Sequence, residues 1–137
     1  MLELKNTFSK IEKIKSKKEI SRIFNDGIFF YSEYLNVKVI KTNKQNQKLH
    51  KVGVSVPKKL FKLAVDRNKL KRLIREAYRL NKNIIYTDNN SETLNIFFIY
   101  KNKEFANYKI IEDDILKLLK EINLRFLEYY FRQNRTF

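Results

Sequence analysis

A single domain of mixed helix and strand is predicted by three observations on this sequence. The chain has 137 residues, the usual length of one domain. Hydrophobic residues make up 43% and aromatics 14%, enough to bury a core and to exclude disorder throughout. Apolar residues recur at three and four in some stretches and at two in others, so helices and strands share the chain. No internal repeat and no second domain are visible.

The longest coherent pattern runs from Asp66 to Lys82. At about 100° per residue, Leu70, Leu73, Ile74, Ala77 and Leu80 fall on one side of a helix about 25 Å long. That stripe is wide enough to face a core. Asn68, Lys71, Arg72, Arg75, Arg79 and Lys82 share an arc on the other side. Most charged helix faces are merely solvated. Here the acids that would interleave such a face are nearly missing, with Asp66 at the expected N-cap and Glu76 off to one side. This pattern favours a nucleic-acid backbone as the partner.

The whole chain supports that reading. Thirty Lys and Arg against fifteen Asp and Glu give a net charge of +15, more than solubility requires. Lys58 to Lys82 holds ten basic and two acidic residues, so +8 sits in 25 positions. A polyanion is the expected partner, nucleic acid ahead of an anionic membrane. With no apolar run near the roughly 18 residues of a membrane span, and no signal-peptide core, a cytoplasmic location is expected.

Taken in order, Met1 to Lys15 is polar and basic and is expected to be mobile or to lie over the surface. Ser16 and Glu19 form a capping-box pattern, opening a helix that Gly27 ends. On it, Ile20, Ile23 and Phe24 share a face and read first as core residues. From Ile28 to Lys41 the period becomes two, with Leu35, Val37 and Val39 alternating with Asn36 and Lys38. After a polar turn from Thr42 to His50, Val52, Val54 and Val56 alternate with Gly53, Ser55 and Pro57. These strands are expected to be antiparallel neighbours. Their non-core faces would then form a shallow floor carrying Lys38, with room over Gly53 and Ser55 for something to approach. A plain solvent-facing sheet is the alternative. A polar loop through Asp88 to Ser91 leads to Thr93–Tyr100, apolar on both faces and therefore expected to be a central strand. The last helix is expected over Tyr108 to Phe131, with Ile111, Ile115, Leu118, Leu119, Ile122 and Phe126 inward. Arg125, Arg132 and Arg135 lie near its end. Tyr129, Tyr130 and Phe131 could cap the core or mediate a contact.

Catalytic constellations are not evident. The chain has no cysteine, so disulfides, thiolate zinc sites and a cysteine nucleophile are excluded. His50 is the only histidine, expected to be exposed in a lysine-rich turn with no nucleophile to activate. Two glycines cannot build a phosphate loop. Glu112, Asp113 and Asp114 are adjacent on a helix and point in different directions, which suits the helix dipole better than a metal. No catalytic or metal-binding residue is therefore assigned to this chain.

The run Ala64-Val65-Asp66-Arg67-Asn68-Lys69-Leu70-Lys71-Arg72-Leu73-Ile74-Arg75-Glu76-Ala77-Tyr78-Arg79 closely resembles the signature of the protein subunit of bacterial ribonuclease P. Gly53-Val54-Ser55-Val56-Pro57-Lys58-Lys59 is similar to the family's strand end, and Phe24 followed by Gly27 to an aromatic-to-glycine spacing on its first helix. The resemblance spans roughly Ser16 to Ile122. Lys69 stands where the motif usually has Arg, Ile20 where many members place an aromatic, and Leu60-Phe61-Lys62-Leu63 replaces a shorter link.

The resemblance implies an α+β fold, ribosomal-protein-like, of three helices on a four-stranded mixed sheet with a left-handed crossover through the basic helix. It implies removal of the 5′ leader of precursor tRNA, with hydrolysis done by a catalytic RNA partner and Mg2+ bound mainly by that RNA. The positions it carries over for RNA binding are Lys58, Lys59, Arg67, Asn68, Lys69, Lys71, Arg72, Arg75 and Arg79. For a cleft holding the single-stranded leader they are Phe24, Asn36 and Lys38, to which the strand-face reading adds Ser55. Forked arginine donors suit phosphates, and Phe24 could stack on an unpaired base. A non-catalytic RNA-binding module such as a ribosomal protein would use the same helix. A DNA-binding role ranks below both, because no helix and turn precede the basic helix.

Overall fold

Residues 12–42, 49–86 and 93–127 are described by the computed structural model. The expectations placed on residues 1–11, the 43–48 turn, the 87–92 loop, the Tyr129–Phe131 cluster, Arg132 and Arg135 lie outside them.

The alternating stretch from Ile28 resolves into a hairpin rather than one strand: β1 (Ile28–Tyr31) pairs antiparallel with β2 (Leu35–Thr42). Ser32 makes the turn, its Oγ accepting from the Leu35 N–H at 3.2 Å and its N–H donating to the Leu35 carbonyl at 2.8 Å. Asp114, on the last helix, holds this turn by accepting from Ser32 Oγ at 2.9 Å and from the Tyr34 N–H at 2.8 Å.

The strand order is β1-β2-β4-β3, where β3 is Lys51–Ser55 and β4 is Thr93–Tyr100. This corrects one expectation. β2 and β3 are not neighbours: β4 lies between them, antiparallel to β2 and parallel to β3. The reason is burial. β4 is the strand with apolar residues on both faces, so the inner position hides most from water. Helix α2 (Ala64–Asn81) is the crossover joining the parallel pair β3 and β4.

One sheet face packs on α2 and α3 (Tyr108–Ile122). Leu35, Val37, Val39, Val52, Leu94, Ile96, Phe98 and Tyr100 meet Leu70, Ile74, Ala77, Ile111, Ile115 and Leu119 there, all buried. On the other face lies α1 (Lys17–Asp26), whose Phe24 ring stands 5.3 Å from that of Phe97. The fold is thus three helices on a four-stranded mixed sheet. The Glu19 N–H donates to Ser16 Oγ at 3.4 Å, as the capping pattern predicts. Gly27 ends the helix in an extended conformation, and a Cβ there would stand 2.3 Å from the Ile23 carbonyl oxygen. Close approach is what requires the glycine. Ile23 is the buried residue of this helix, while Ile20 is half-buried and Phe24 is 38% exposed.

Several polar residues lie elsewhere than expected. The α-helix α3 runs to Ile122 and gives way to a π turn over Asn123–Leu127, and the rest of the predicted helix, up to Phe131, lies outside the described residues. Glu12 to Ile14 are anchored: the Ile14 N–H donates to the Val52 carbonyl at 3.2 Å, and Glu12 is buried. Its partner is Lys82, placed by the periodicity on the cationic arc but actually 1% exposed, with Nζ 3.1 and 3.0 Å from the two Glu12 carboxylate oxygens. A buried ammonium needs such a partner.

His50 is also buried, not exposed in a turn. Nδ1 accepts from the Leu94 N–H at 2.9 Å, which leaves Nε2 to donate to the Ile85 carbonyl at 2.9 Å. The ring packs on Tyr86 at 4.3 Å. This neutral tautomer ties β4 to the short turn after α2. Burial lowers the His50 pKa from 6.5 to about 4. Between those values the unfolded chain binds a proton that the folded one refuses, so stability rises with pH there and is lost as pH falls. The loss approaches about 3 kcal/mol once the pH passes below the folded value. Urea unfolding followed from pH 7.5 to 4.5 is expected to show this slope in the wild type and a flatter one in His50→Gln. Equal slopes would assign the proton to another group.

Candidate nucleic-acid interface

Helix α2 begins at Ala64, two residues before the expected cap, and Leu63 at the cap position makes no side-chain cap. Arg67 explains the early start. Its Nη1 donates to the Phe61 and Lys62 carbonyls, both at 2.8 Å, and its N–H bonds the Leu63 carbonyl. Asp66 lies in the first turn, where the helix dipole favours an acid. The buried stripe is Leu70, Ile74, Ala77 and Tyr78, with Leu73 half-buried at its margin. Leu80, predicted inward, is 41% exposed, and Tyr78 takes the inward place against Phe98. The stripe is rotated because α2 packs on β3 and α3 together, which turns the contact face towards Tyr78.

The opposite side carries the cations. Asn68, Lys69, Arg72 and Arg75 are exposed and Lys71 is half-exposed, while Lys58 and Lys59 stand exposed on the turn that follows β3. Among the described residues Lys58, Lys59, Lys71, Arg72 and Arg75 have no acidic partner. The other members differ. Arg79 is turned onto Glu76, its Nε 3.1 Å from a carboxylate oxygen, and this hydrogen bond holds the Glu76 carboxyl below its ordinary range. Lys69 stands over the Phe105 ring at 5.7 Å. Arg67 has the structural role already described. The face available to phosphates is therefore a subset of the predicted list.

The groove lies on the other side of the sheet. Asn36 is opposite Ile99, which is opposite Ser55; Lys38 is opposite Phe97, which is opposite Gly53. Directly paired residues share a face, so Asn36, Lys38 and Ser55 line one floor with α1 above part of it. Lys38 Nζ donates to the Phe24 carbonyl at 2.7 Å and stands 5.4 Å from the Phe24 ring centroid. Asn36, Lys38 and Ser55 thus share one face of the sheet with Phe24 over Lys38, but β4 separates Ser55 from the other two. Asn36 Oδ1 is buried with no hydrogen-bond partner among the described residues, an acceptor that a bound group could satisfy.

Gly53 does not leave the expected open space. Its face is filled from within by the Phe97 ring, which an added Cβ would meet at 2.5 Å, and by Ile14 at 3.6 Å. The glycine lets Phe97 lie flat on β3 and present itself to Phe24. Phe97 and Ile99 escaped sequence reasoning because β4 looked like core on both faces. β1 adds two further residues to this floor, Phe29 beside Lys38 and Tyr31 beside Asn36.

The three adjacent acids of α3 are each engaged separately: Asp114 with the hairpin turn, Asp113 with Lys109 at 3.0 Å, and Glu112 with the Tyr108 hydroxyl at 2.9 Å and Asn81 at 3.3 Å. Among the described residues no group of three or more metal-ligating side chains is gathered in one place. No helix is long and apolar enough to cross a membrane among them.

Comparison with known proteins agrees with this geometry. The Ribonuclease P family model matches residues 8–123. The ribonuclease P protein component of Clostridium botulinum is 37% identical over 116 residues, covering 84% of this chain and 97% of the relative. That of Porphyromonas gingivalis is 33% identical over 116 residues, covering 83% and 85%. Among solved structures, the Staphylococcus aureus RNase P protein superposes with a TM-score of 0.67 at 28% identity, covering 81% of this chain and 94% of that one. The Thermotoga maritima RNase P protein gives 0.66 at 28% identity, covering 80% and 96%. With a family model spanning most of its length, a matching fold and its basic helix in place, the chain belongs to the ribonuclease P protein family.

Proposed function

We propose that the cationic face of α2 docks on the catalytic RNA of ribonuclease P while the groove between α1 and the sheet holds the single-stranded 5′ leader of precursor tRNA. Membership of the family makes the chain part of an endoribonuclease that matures tRNA 5′ ends. The observation that carries the finer reading is the separation of two surfaces. Unpaired cations project from α2, and an aromatic and polar floor lies on the opposite side of the sheet from it. One protein can then hold the catalytic RNA and the substrate at once.

Lys58, Lys59, Asn68, Lys71, Arg72 and Arg75 meet phosphates of the catalytic RNA, and Lys69 and Arg79 join them once their intramolecular partners are exchanged. Arg67 acts mainly by fixing the link before α2. Phe24 stacks on a leader base, with Lys38 neutralising a phosphate beside it and Asn36 and Ser55 offering hydrogen bonds. Magnesium held mainly by the catalytic RNA would supply the activated water for phosphodiester hydrolysis, with no residue of this chain assigned as its ligand. The chain works in the cytoplasm, where precursor tRNA is made.

The test is reconstitution with a bacterial ribonuclease P RNA and precursor tRNA at low magnesium. Cleavage is expected to be faster than with RNA alone. Phe24→Ala is expected to weaken binding of substrates with a leader about tenfold, within the range for loss of one stacked base, and to leave mature tRNA binding unchanged. If shortening the leader affects wild type and Phe24→Ala equally, the leader does not lie in this groove.

A further inference from the structure

Strand β1 extends the floor of the groove with two residues to which the proposed function gives no role. Phe29 and Tyr31 are 50% and 63% exposed, adjacent on one side of an edge strand. Their rings stack on each other with centroids 6.0 Å apart and planes inclined by 23°. Lys101 Nζ stands 5.2 Å from the Tyr31 ring centroid, and Lys38 occupies the position directly opposite Phe29 on β2. The alternate residues of β1 do ordinary core work: Ile28 and Phe30 are half-buried against the core, with the Phe30 ring 6.4 Å from that of Phe126. A four-residue edge strand needs only one apolar face. Large exposed rings on its second face are a liability that folding does not require.

We propose that Phe29 and Tyr31 form a stacking ledge that continues the leader groove across β1, so that this protein grips single-stranded RNA beyond the bases held under α1. The proposal rests on the placement of the leader in the α1 groove and extends it. Continuity is the first argument. Phe29, Lys38, Phe97 and Gly53 form one row across all four strands, and Tyr31, Asn36, Ile99 and Ser55 form the next. At about 4.8 Å per strand, Phe29 lies about 10 Å from Phe97, with Lys38 between them. A strand of RNA leaving the Phe24 ring along this row meets a cation and then an aromatic face.

Chemistry is the second argument. Aromatic rings interleaved with lysines suit an occupant with flat bases and a phosphate backbone. Such a surface is sequence-tolerant because every base has a π-face to stack. A second copy of this chain is the other occupant an edge strand invites. With a net charge of +15 on each copy, self-association there is opposed electrostatically.

The test uses the reconstituted holoenzyme and precursor tRNAs whose leaders grow one nucleotide at a time. Wild-type affinity is expected to rise in two steps, the first as the leader fills the α1 groove and the second as it reaches β1. Phe29→Ala/Tyr31→Ala should keep the first step and lose the second, binding long-leader substrates at least about tenfold more weakly while short-leader substrates are unchanged. Phe29→Tyr/Tyr31→Phe should retain both steps, and Lys101→Gln should reduce the salt dependence of the second step alone. Because both rings are exposed, an unchanged melting curve for the alanine variant checks the fold. If it melts early, the Phe29→Tyr/Tyr31→Phe and Lys101→Gln arms decide the matter. A second step that survives the alanine variant overturns the ledge, as does a wild type showing only the first step. No dependence on leader length at all would instead remove the groove assignment beneath it. Sedimentation of the free protein closes the last alternative: a dimer abolished by the alanine variant would make β1 a self-interface and overturn the proposal.

Discussion

Arg72→Ala/Arg75→Ala is expected to weaken binding to the catalytic RNA about hundredfold at moderate salt, and to lower the slope of log affinity against log salt by about 1.5 to 2. Both arginines are exposed and lack an acidic partner among the described residues. The loss would therefore be one of phosphate contacts, and the melting temperature of the free protein should not change. Arg67→Ala is a poorer probe, despite its place in the family motif. Its guanidinium holds two carbonyls of the link before α2, so weaker RNA binding would mix a lost contact with a loosened link. Arg79→Ala should cost less than Arg72→Ala, because Arg79 must first leave Glu76. Filter binding or fluorescence titration at several salt concentrations separates these cases. An unchanged slope for the Arg72/Arg75 pair would place the catalytic RNA on another surface.

Lys82→Met is expected to destabilise the free protein by about 3–5 kcal/mol, the cost of leaving the buried Glu12 carboxylate without its partner. Adding Glu12→Gln should recover much of that loss, since a neutral pair of similar shape no longer strands a charge. Urea denaturation of the two variants and the wild type measures both numbers. RNA binding by the folded fraction should keep its full salt slope, because Lys82 faces Glu12 instead of solvent. A mild effect on stability with a reduced slope would return Lys82 to the cationic row where its spacing alone puts it. The pair also has a topological role. It fastens residue 12 to the end of α2, and Ile14 in the same segment covers Gly53 beneath the groove.

The elements read well from the sequence because their signals are local. Ser16 and Glu19 mark the start of α1, and the hydrophobic repeat from Ile111 to Ile122 marks α3. The apolar run from Leu94 to Tyr100 identified a central strand correctly. Partnership between strands was not local. Two alternating stretches in succession suggested a direct pair, yet β3 reaches the sheet only through β4, which follows it by an intervening helix. Nothing in a period of two says which strand pairs with which, since every amphipathic strand presents the same pattern. The groove was legible only on the side contributed by α1, β2 and β3. Phe97 joined it from a strand whose both faces looked like core, and Phe29 and Tyr31 joined it through the register of a hairpin whose turn was not recognised.

By itself the sequence determined a half-buried helix with a cationic outer face, the absence of thiol and phosphate-loop chemistry, and the family motif. These depend on neighbours within one or two helical turns, so spacing settles them. The tertiary structure decided which polar groups are free to bind. Lys82 is neutralised by a carboxylate 70 residues away, and His50 is held by partners 35 and 44 residues away. A side chain's charge is written in the sequence. Whether water, an RNA phosphate or a distant residue of the same chain answers it depends on burial, and burial exists only once the distant parts have packed.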